Sequence, residues 1–264
     1  FNDEITVDAV TGRYSNVIKP RTEKTKEEQS IRIRGKAEVF TPSWVCNKQN
    51  NLIDYAWFGR TGVFNKETLN DWITIKKHII FPAKNGKNWQ EYVLDPRLEI
   101  ACGEAPYLVS RYDTVNGEYI DIDDRIGFLD RKLRVLSENV DVEEDWVKWA
   151  YKAFKSIYGY DWQGDNILLA RENLLCTFID YYAHKFIKEP SEDILLNVAF
   201  IISWNIWQMD GLKFVIPDSC KDKSVEYVQL SLFEAPPEQK VCEGCTKNNP
   251  LLHTGIYCKV MDWN

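Results

Sequence analysis

The sequence predicts an α/β fold: a doubly wound parallel sheet with helical insertions and a small module at the C-terminal end. Three observations predict it. Leu98-Glu99-Ile100 runs into Ala101-Cys102-Gly103, which reads as a short buried strand stopping abruptly at a turn. Such a turn suits a ligand, because a glycine lets backbone N–H groups approach it and an acid at the strand's end bonds an amine or hydroxyl. Further along, helical patterns over 143–158 and from Ile167 onward alternate with strand-like segments ending in acids, the pattern that builds parallel sheets. Finally, Cys242, Cys245, His253 and Cys258 gather beyond that alternation.

Composition bounds the function. The 264 residues are 44% apolar and 28% charged, ordinary values for a globular protein with a sizeable core. Lys and Arg number 33 against 40 acids, a net charge of −7, so any contact with DNA must be a local patch. No stretch approaches the roughly 18 consecutive apolar residues of a membrane span, and the first residues resemble no secretion signal, so a cytoplasmic protein without a membrane partner is expected. Seven cysteines, an odd number, argue for free thiols or metal ligands over a disulfide framework. The chain opens on Phe1 rather than Met, which leaves room for further residues at either end.

Taken in order, residues 1–36 form a basic arm or loose hairpin carrying Arg13, Lys19, Arg21, Lys24, Lys26, Arg32, Arg34 and Lys36. It reads as a solvated leader whose positive balance also suits phosphates. In Ala37-Glu38-Val39-Phe40-Thr41-Pro42, the proline forces Thr41 to be extended ahead of a helix opening at Ser43. Residues 52–95 carry spaced aromatics, among them Trp57, Trp72 and Tyr92, that suggest helices packed on the sheet. A polar insertion over 113–124 precedes a basic amphipathic segment, Arg125 to Leu136, read as a solvated or DNA-facing helix. Ile157-Tyr158-Gly159-Tyr160-Asp161 ends in an acid, which either bonds a ligand or punctuates the turn before the next helix. Ser191-Glu192-Asp193 starts a further apolar helix, and Asn205 to Met209 reads as another strand, tipped by Asp210.

The cysteine pattern Cys242-x2-Cys245-x7-His253-x4-Cys258 offers three thiolates and an imidazole on a tight turn and a short loop. Those are the four ligands of a closed tetrahedral site, so a structural zinc in a module over 221–264 is expected.

Several of these segments together resemble S-adenosylmethionine (SAM) dependent, adenine-specific DNA methyltransferases of restriction-modification systems. Their first motif runs Asp-Pro-Ala-Cys-Gly-Ser-Gly-x-Phe-Leu. Here Ala101, Cys102, Gly103 and Leu108 are identical, Glu99 stands for the acid and Tyr107 for the aromatic, while Glu104 and Ala105 replace the small Ser and the second Gly. Glu38 to Pro42 resembles the segment that supports the methionine end of SAM. Asp161, followed by Ala170-Arg171-Glu172-Asn173-Leu174, is similar to the second motif, whose acid accepts the ribose hydroxyls. Asp210 resembles the third, which faces the adenine; an alternative alignment gives Asp210 the ribose and Asp262 the adenine. The resemblance spans roughly residues 37–215. It implies a Rossmann-like class I methyltransferase sheet over 37–220, with Phe40, Thr41, Pro42, Glu99, Ala101, Cys102, Gly103, Asp161 and Asp210 lining a SAM site. The family's Asn/Asp/Ser-Pro-Pro-Tyr/Phe catalytic motif is missing. The nearest strings are Ala235-Pro236-Pro237-Glu238, after the strand-like Val225 to Phe233, and Asn249-Pro250-Leu251. Either the motif lies past residue 264, or a second methyltransferase or restriction subunit supplies it, or the chain is a silent relative that engages a protein of a defence or counter-defence system.

Overall fold

A computed structural model describes residues 5–36, 38–82, 86–220, 242–259 and 261–263. The expected strand at Val225–Phe233 and the string at 235–238 lie outside the described residues, as does the first half of the 221–264 module.

The arm is structured. A short helix, α1 (Val7–Val10), is capped by the Thr6 hydroxyl, which accepts the Ala9 N–H. In α2 (Lys26–Lys36), Thr25 and Glu28 exchange bonds reciprocally: the Thr25 N–H donates to Glu28 Oε2 at 2.6 Å, and the Glu28 N–H donates to Thr25 Oγ1 at 3.2 Å. The leader lies at the surface as expected, none of residues 5–35 being buried, but it is held to the rest of the chain rather than loose. Arg32 forks onto Glu38 and reaches Asp165 at 2.7 Å, and the Arg21 N–H donates to the buried Glu104 carboxylate at 2.7 Å.

Next, α3 (Ser43–Phe58) opens directly after Pro42 and stops at Gly59, which takes the left-handed φ of 71° that an L side chain disfavours. An antiparallel hairpin, β1 (Asn65–Thr68) and β2 (Asp71–Thr74), stands where packed helices were expected. The reason is local. Asn70 adopts φ 57° in a two-residue turn, and Trp72-Ile73-Thr74 is β-branched and aromatic, which fits a pleat better than a helix. The described helices of the 52–95 region are the end of α3 and α4 (Trp89–Leu94), whose Tyr92 packs among Trp57, Phe58, Phe64 and Phe81.

The central layer is a three-stranded parallel sheet in the order β3 (Arg97–Ile100), β4 (Ile157–Asp161), β5 (Ile206–Gln208). Between β3 and β4 run α5 (Phe128–Asn139) and α6 (Glu143–Lys155); between β4 and β5 run α7 (Gly164–Phe186) and α8 (Glu192–Asn205). Parallel pairing requires a crossover that returns the chain to the starting end of the sheet, and here each crossover carries a helix pair. Trp146 and Phe154 of α6 meet Phe178 and Tyr182 of α7 to fill the core beneath. The last helix is α9 (Glu243–Lys247). No helix among the described residues is long and apolar enough to cross a membrane.

Register sorts the sheet into two unlike faces. Glu99, Gly159 and Ile206 lie opposite one another on the buried face, together with Ile157 and Asp161. Ile100, Tyr160 and Trp207 lie opposite one another on the other face, with Leu98 beside Tyr158; Leu98 is 56% and Ile100 66% exposed. Among the described residues no strand borders the second edge of β3.

The basic segment before and within α5 is neither solvated nor free to face DNA. Arg125, Arg131 and Lys132 are buried. Arg125 bonds Asp180, Arg131 bonds Asp54, Asn47 and Asn51, and the Lys132 ammonium donates to the carbonyls of Val93 and Asp95 and to Ser156 Oγ. A helix with two cations, Arg131 and Lys132, on its inner side forms only because each finds acceptors on a neighbouring element.

Candidate functional site

The strand β3 ends at a tight reversal. Ala101 and Gly103 both take positive φ, 51° and 54°, which turns the chain across the sheet's carboxyl edge. The turn is tied to the next strand. The Cys102 N–H donates to the Tyr160 carbonyl at 2.9 Å, and the Gly103 N–H donates to Asp161 Oδ2 at 2.9 Å. Asp161 Oδ1 accepts the Gln163 N–H at 2.7 Å and the Asn166 amide at 3.5 Å.

Above this edge opens a cavity of about 610 Å³. It brings together Phe40 and Thr41 from the segment before α3, Glu99, Ala101, Cys102 and Gly103 from the end of β3, and Asp161 from the end of β4. Pro42 and Asp210 are not among its lining residues. Pro42 sits at the cap position of α3, one residue from the wall. Asp210 closes a turn, its Oδ1 accepting the N–H groups of Leu212 and Lys213 at 2.9 and 3.2 Å while its Oδ2 pairs with the Lys213 ammonium at 3.6 Å.

Burial sets the electrostatics. Glu99 accepts the N–H groups of Tyr107 and Leu108, yet burial pushes its carboxyl well above the usual carboxylate range. Burial also raises Asp161, against the pull of Gln163 and Gly103, and pushes the Cys102 thiol well up, so that sulfur is packing and not a nucleophile. Glu104, the departure from the small residue of the first motif, points away from the cavity, accepting the Arg21 N–H and the Tyr112 hydroxyl. Ala105 holds φ 65°, the backbone shape a glycine would give, and neither residue lines the cavity.

Sequence reasoning missed Arg34, Trp162, Gln163 and Asn166 on the walls. Trp162 and Gln163 directly follow the acid; Arg34 arrives from the arm, which no local signal places there. A second cavity of about 630 Å³ lies between the C-terminal half of α3 and the hairpin, lined by Tyr55, Arg60 and Phe64 among others, and holds none of the expected site residues.

The cysteine cluster differs from its expected composition. Cys220, Cys242, Cys245 and His253 offer four ligand atoms that all lie within 4.8 Å of one another and could hold a metal ion. Cys258 is not among them; its sulfur faces the Gln208 carbonyl at 3.5 Å. The correction has a topological reason. The segment after β5 bridges to the C-terminal segment at Val215 and Tyr257, which carries Cys220 up to the cysteine turn and leaves Cys258 beside β5. Thr254 bonds Cys242 through hydroxyl and N–H, and holds that thiol down to about 5.

Comparison with protein families, with curated proteins and with solved structures returns no match to this chain.

Proposed function

We propose that the cavity at the carboxyl ends of β3 and β4 binds SAM, in a Rossmann-like methyltransferase sheet, and that the chain is an adenine-specific DNA methyltransferase of a restriction-modification-like system or its SAM-binding subunit. The observation that carries this is convergence: three chain segments, around Phe40, Glu99 to Gly103 and Asp161, each resembling a cofactor motif in the expected order, meet around one cavity. Ligands of doubly wound sheets sit at this place, outside the carboxyl ends of the strands. The volume lies within the usual range of cofactor sites. The residues fit as well. An ionised carboxylate has about four acceptor positions, and Asp161 uses Oδ2 for Gly103 alone, leaving room for a ribose hydroxyl. Trp162, 44% exposed on the wall, offers an aromatic face to a base. Bound there, SAM supplies an electrophilic methyl group. The chain's own residues position it: Asp161 holds the sugar, the Gly103 turn admits it closely, and Phe40 walls the far side. For DNA, Arg13, Lys26 and Arg34 are exposed cations of the arm among the described side chains, since those of the α5 region are used internally.

A second reading, a silent methyltransferase-like protein that engages a protein partner, is favoured by the half-exposed apolar face of the sheet and by the missing Asn-Pro-Pro-Tyr motif.

Titration of the purified protein with SAM and with its demethylated product, by calorimetry and melting temperature, tests the first reading. Ligand at 100 times its Kd stabilises the native state by about 2.7 kcal/mol. Asp161→Ala is expected to weaken binding at least tenfold. A wild-type protein that binds neither compound refutes the SAM site and leaves the partner reading.

A further inference from the structure

We infer that Cys220, Cys242, Cys245 and His253 hold one zinc ion in a closed tetrahedral site, which fastens the segment following β5 to the C-terminal end of the chain. The decisive observation is three sulfurs around one nitrogen. The Sγ atoms of Cys220, Cys242 and Cys245 lie 3.5, 3.5 and 3.6 Å from His253 Nδ1. A ring nitrogen carries either one hydrogen or one lone pair, so it serves one hydrogen bond; three sulfurs at a common distance from it are not a hydrogen-bond pattern. They are a coordination pattern. With Zn–S near 2.3 Å and Zn–N near 2.0–2.1 Å, a tetrahedral angle sets sulfur and nitrogen about 3.6 Å apart.

The backbone around the four atoms is shaped for this approach. A Cβ on Gly244 would stand 2.6 Å from the His253 nitrogen and 2.7 Å from its Nδ1, and one on Gly255 would stand 2.5 Å from Ser219 Oγ and 2.9 Å from Cys220 Sγ. Only glycine fits at either place. The Thr254 N–H donates to Cys242 Sγ at 3.3 Å, an outer bond that orients the thiolate. The donor set selects the metal. Three thiolates and an imidazole offer nothing to the oxygen-seeking ions magnesium and calcium, and they match zinc. Because the protein fills all four positions, no site remains for a substrate, and the ion is structural.

Its role follows from what the ligands join. Cys220 ends the segment that pairs with residues 256–258: the Ile216 N–H donates to the Ile256 carbonyl at 2.8 Å, and the Cys258 N–H to the Phe214 carbonyl at 3.0 Å. That paired segment continues from β5 through Met209, whose N–H donates to the Asp161 carbonyl at 2.9 Å. The zinc site thus braces the segment beyond β5, the neighbour of the strand β4 whose Asp161 lines the cavity, without touching the cavity itself.

The test is independent of any cofactor. Elemental analysis of the full chain, purified without chelator, is expected to find one zinc per chain. Cys220→Ser is expected to lose it and Cys258→Ser to keep it. Alkylation mapped by mass spectrometry on the wild-type protein covers the case in which Cys220→Ser does not fold: a chelator should raise the labelling of Cys220, Cys242 and Cys245 together and leave Cys258 unchanged. Zinc well below stoichiometric, loss of zinc from Cys258→Ser with retention in Cys220→Ser, or chelator-independent labelling of Cys220 would each overturn the assignment.

Discussion

Asp130 shows how a single residue's burial becomes a measurable property of the protein. Its Oδ2 accepts the N–H groups of Ser110 and Gly127 and the Ser110 hydroxyl, while Oδ1 has no partner among the described residues. Burial pushes the carboxyl up to about 6, above the roughly 3.9 of an unfolded chain. A proton that the folded state holds and the unfolded state releases stabilises the fold at low pH. That contribution is fully present below about pH 4 and is lost as pH rises through about 6. Asp130→Asn removes the titration while keeping one acceptor and adding a donor at the orphaned position. The unfolding free energy of Asp130→Asn relative to wild type is expected to rise by on the order of 3 kcal/mol between pH 4 and pH 7; urea titrations giving the same difference at both pH values would refute it. Such a residue was not legible beforehand, because nothing in Phe128-Leu129-Asp130 distinguishes an acid capping inward from one facing water. Glu99 and Asp161 were legible, since each lies at the carboxyl end of a strand just before a turn. Cys220 was not: spacing rules count cysteines near each other in sequence, and this one joins from across residues 221–241.

At the level of elements, α5 gives the sharpest lesson. Its alternation of basic and apolar residues suits a surface helix, yet the fold places Arg131 against Asp54 of α3 with Asn47 and Asn51 beside it, and the Tyr92 hydroxyl completes Asp54. Amphipathic period locates a helix but does not tell which side faces in when the cations themselves have buried partners. Arg131→Met leaves Asp54 buried without a countercharge, and is expected to cost about 3–5 kcal/mol. The double substitution Asp54→Asn with Arg131→Met should recover much of that loss in urea unfolding, whereas strict additivity would show that the pair does not act as a unit. The helices α3, α6, α7 and α8 were legible from their apolar period, although none has a side-chain N-cap bond and α6 stops at Lys155, short of the expected 158, where β4 takes over. The hairpin was not, its signal lying in one Asn turn and the short aromatic and β-branched run Trp72-Ile73-Thr74.

For the whole molecule, the sheet is the unfinished part. Parallel sheets are ordinarily covered on both faces, and this one leaves Leu98 and Ile100 exposed at an edge that no strand borders among the described residues. Wild-type protein is expected to associate as its concentration rises, and Ile100→Lys to suppress this while changing stability by about 0.5 kcal/mol or less, because the side chain is 66% exposed. Light scattering that shows no difference between the two would remove the idea. The arm meets the rest of the molecule on other terms. Arg21 bonds Glu104, 83 residues later, and Arg32 bonds Asp165, 133 residues later. During synthesis the arm therefore emerges well before the acids that receive it, and its side of the cavity rim can close only once the chain through Asp165 has been made.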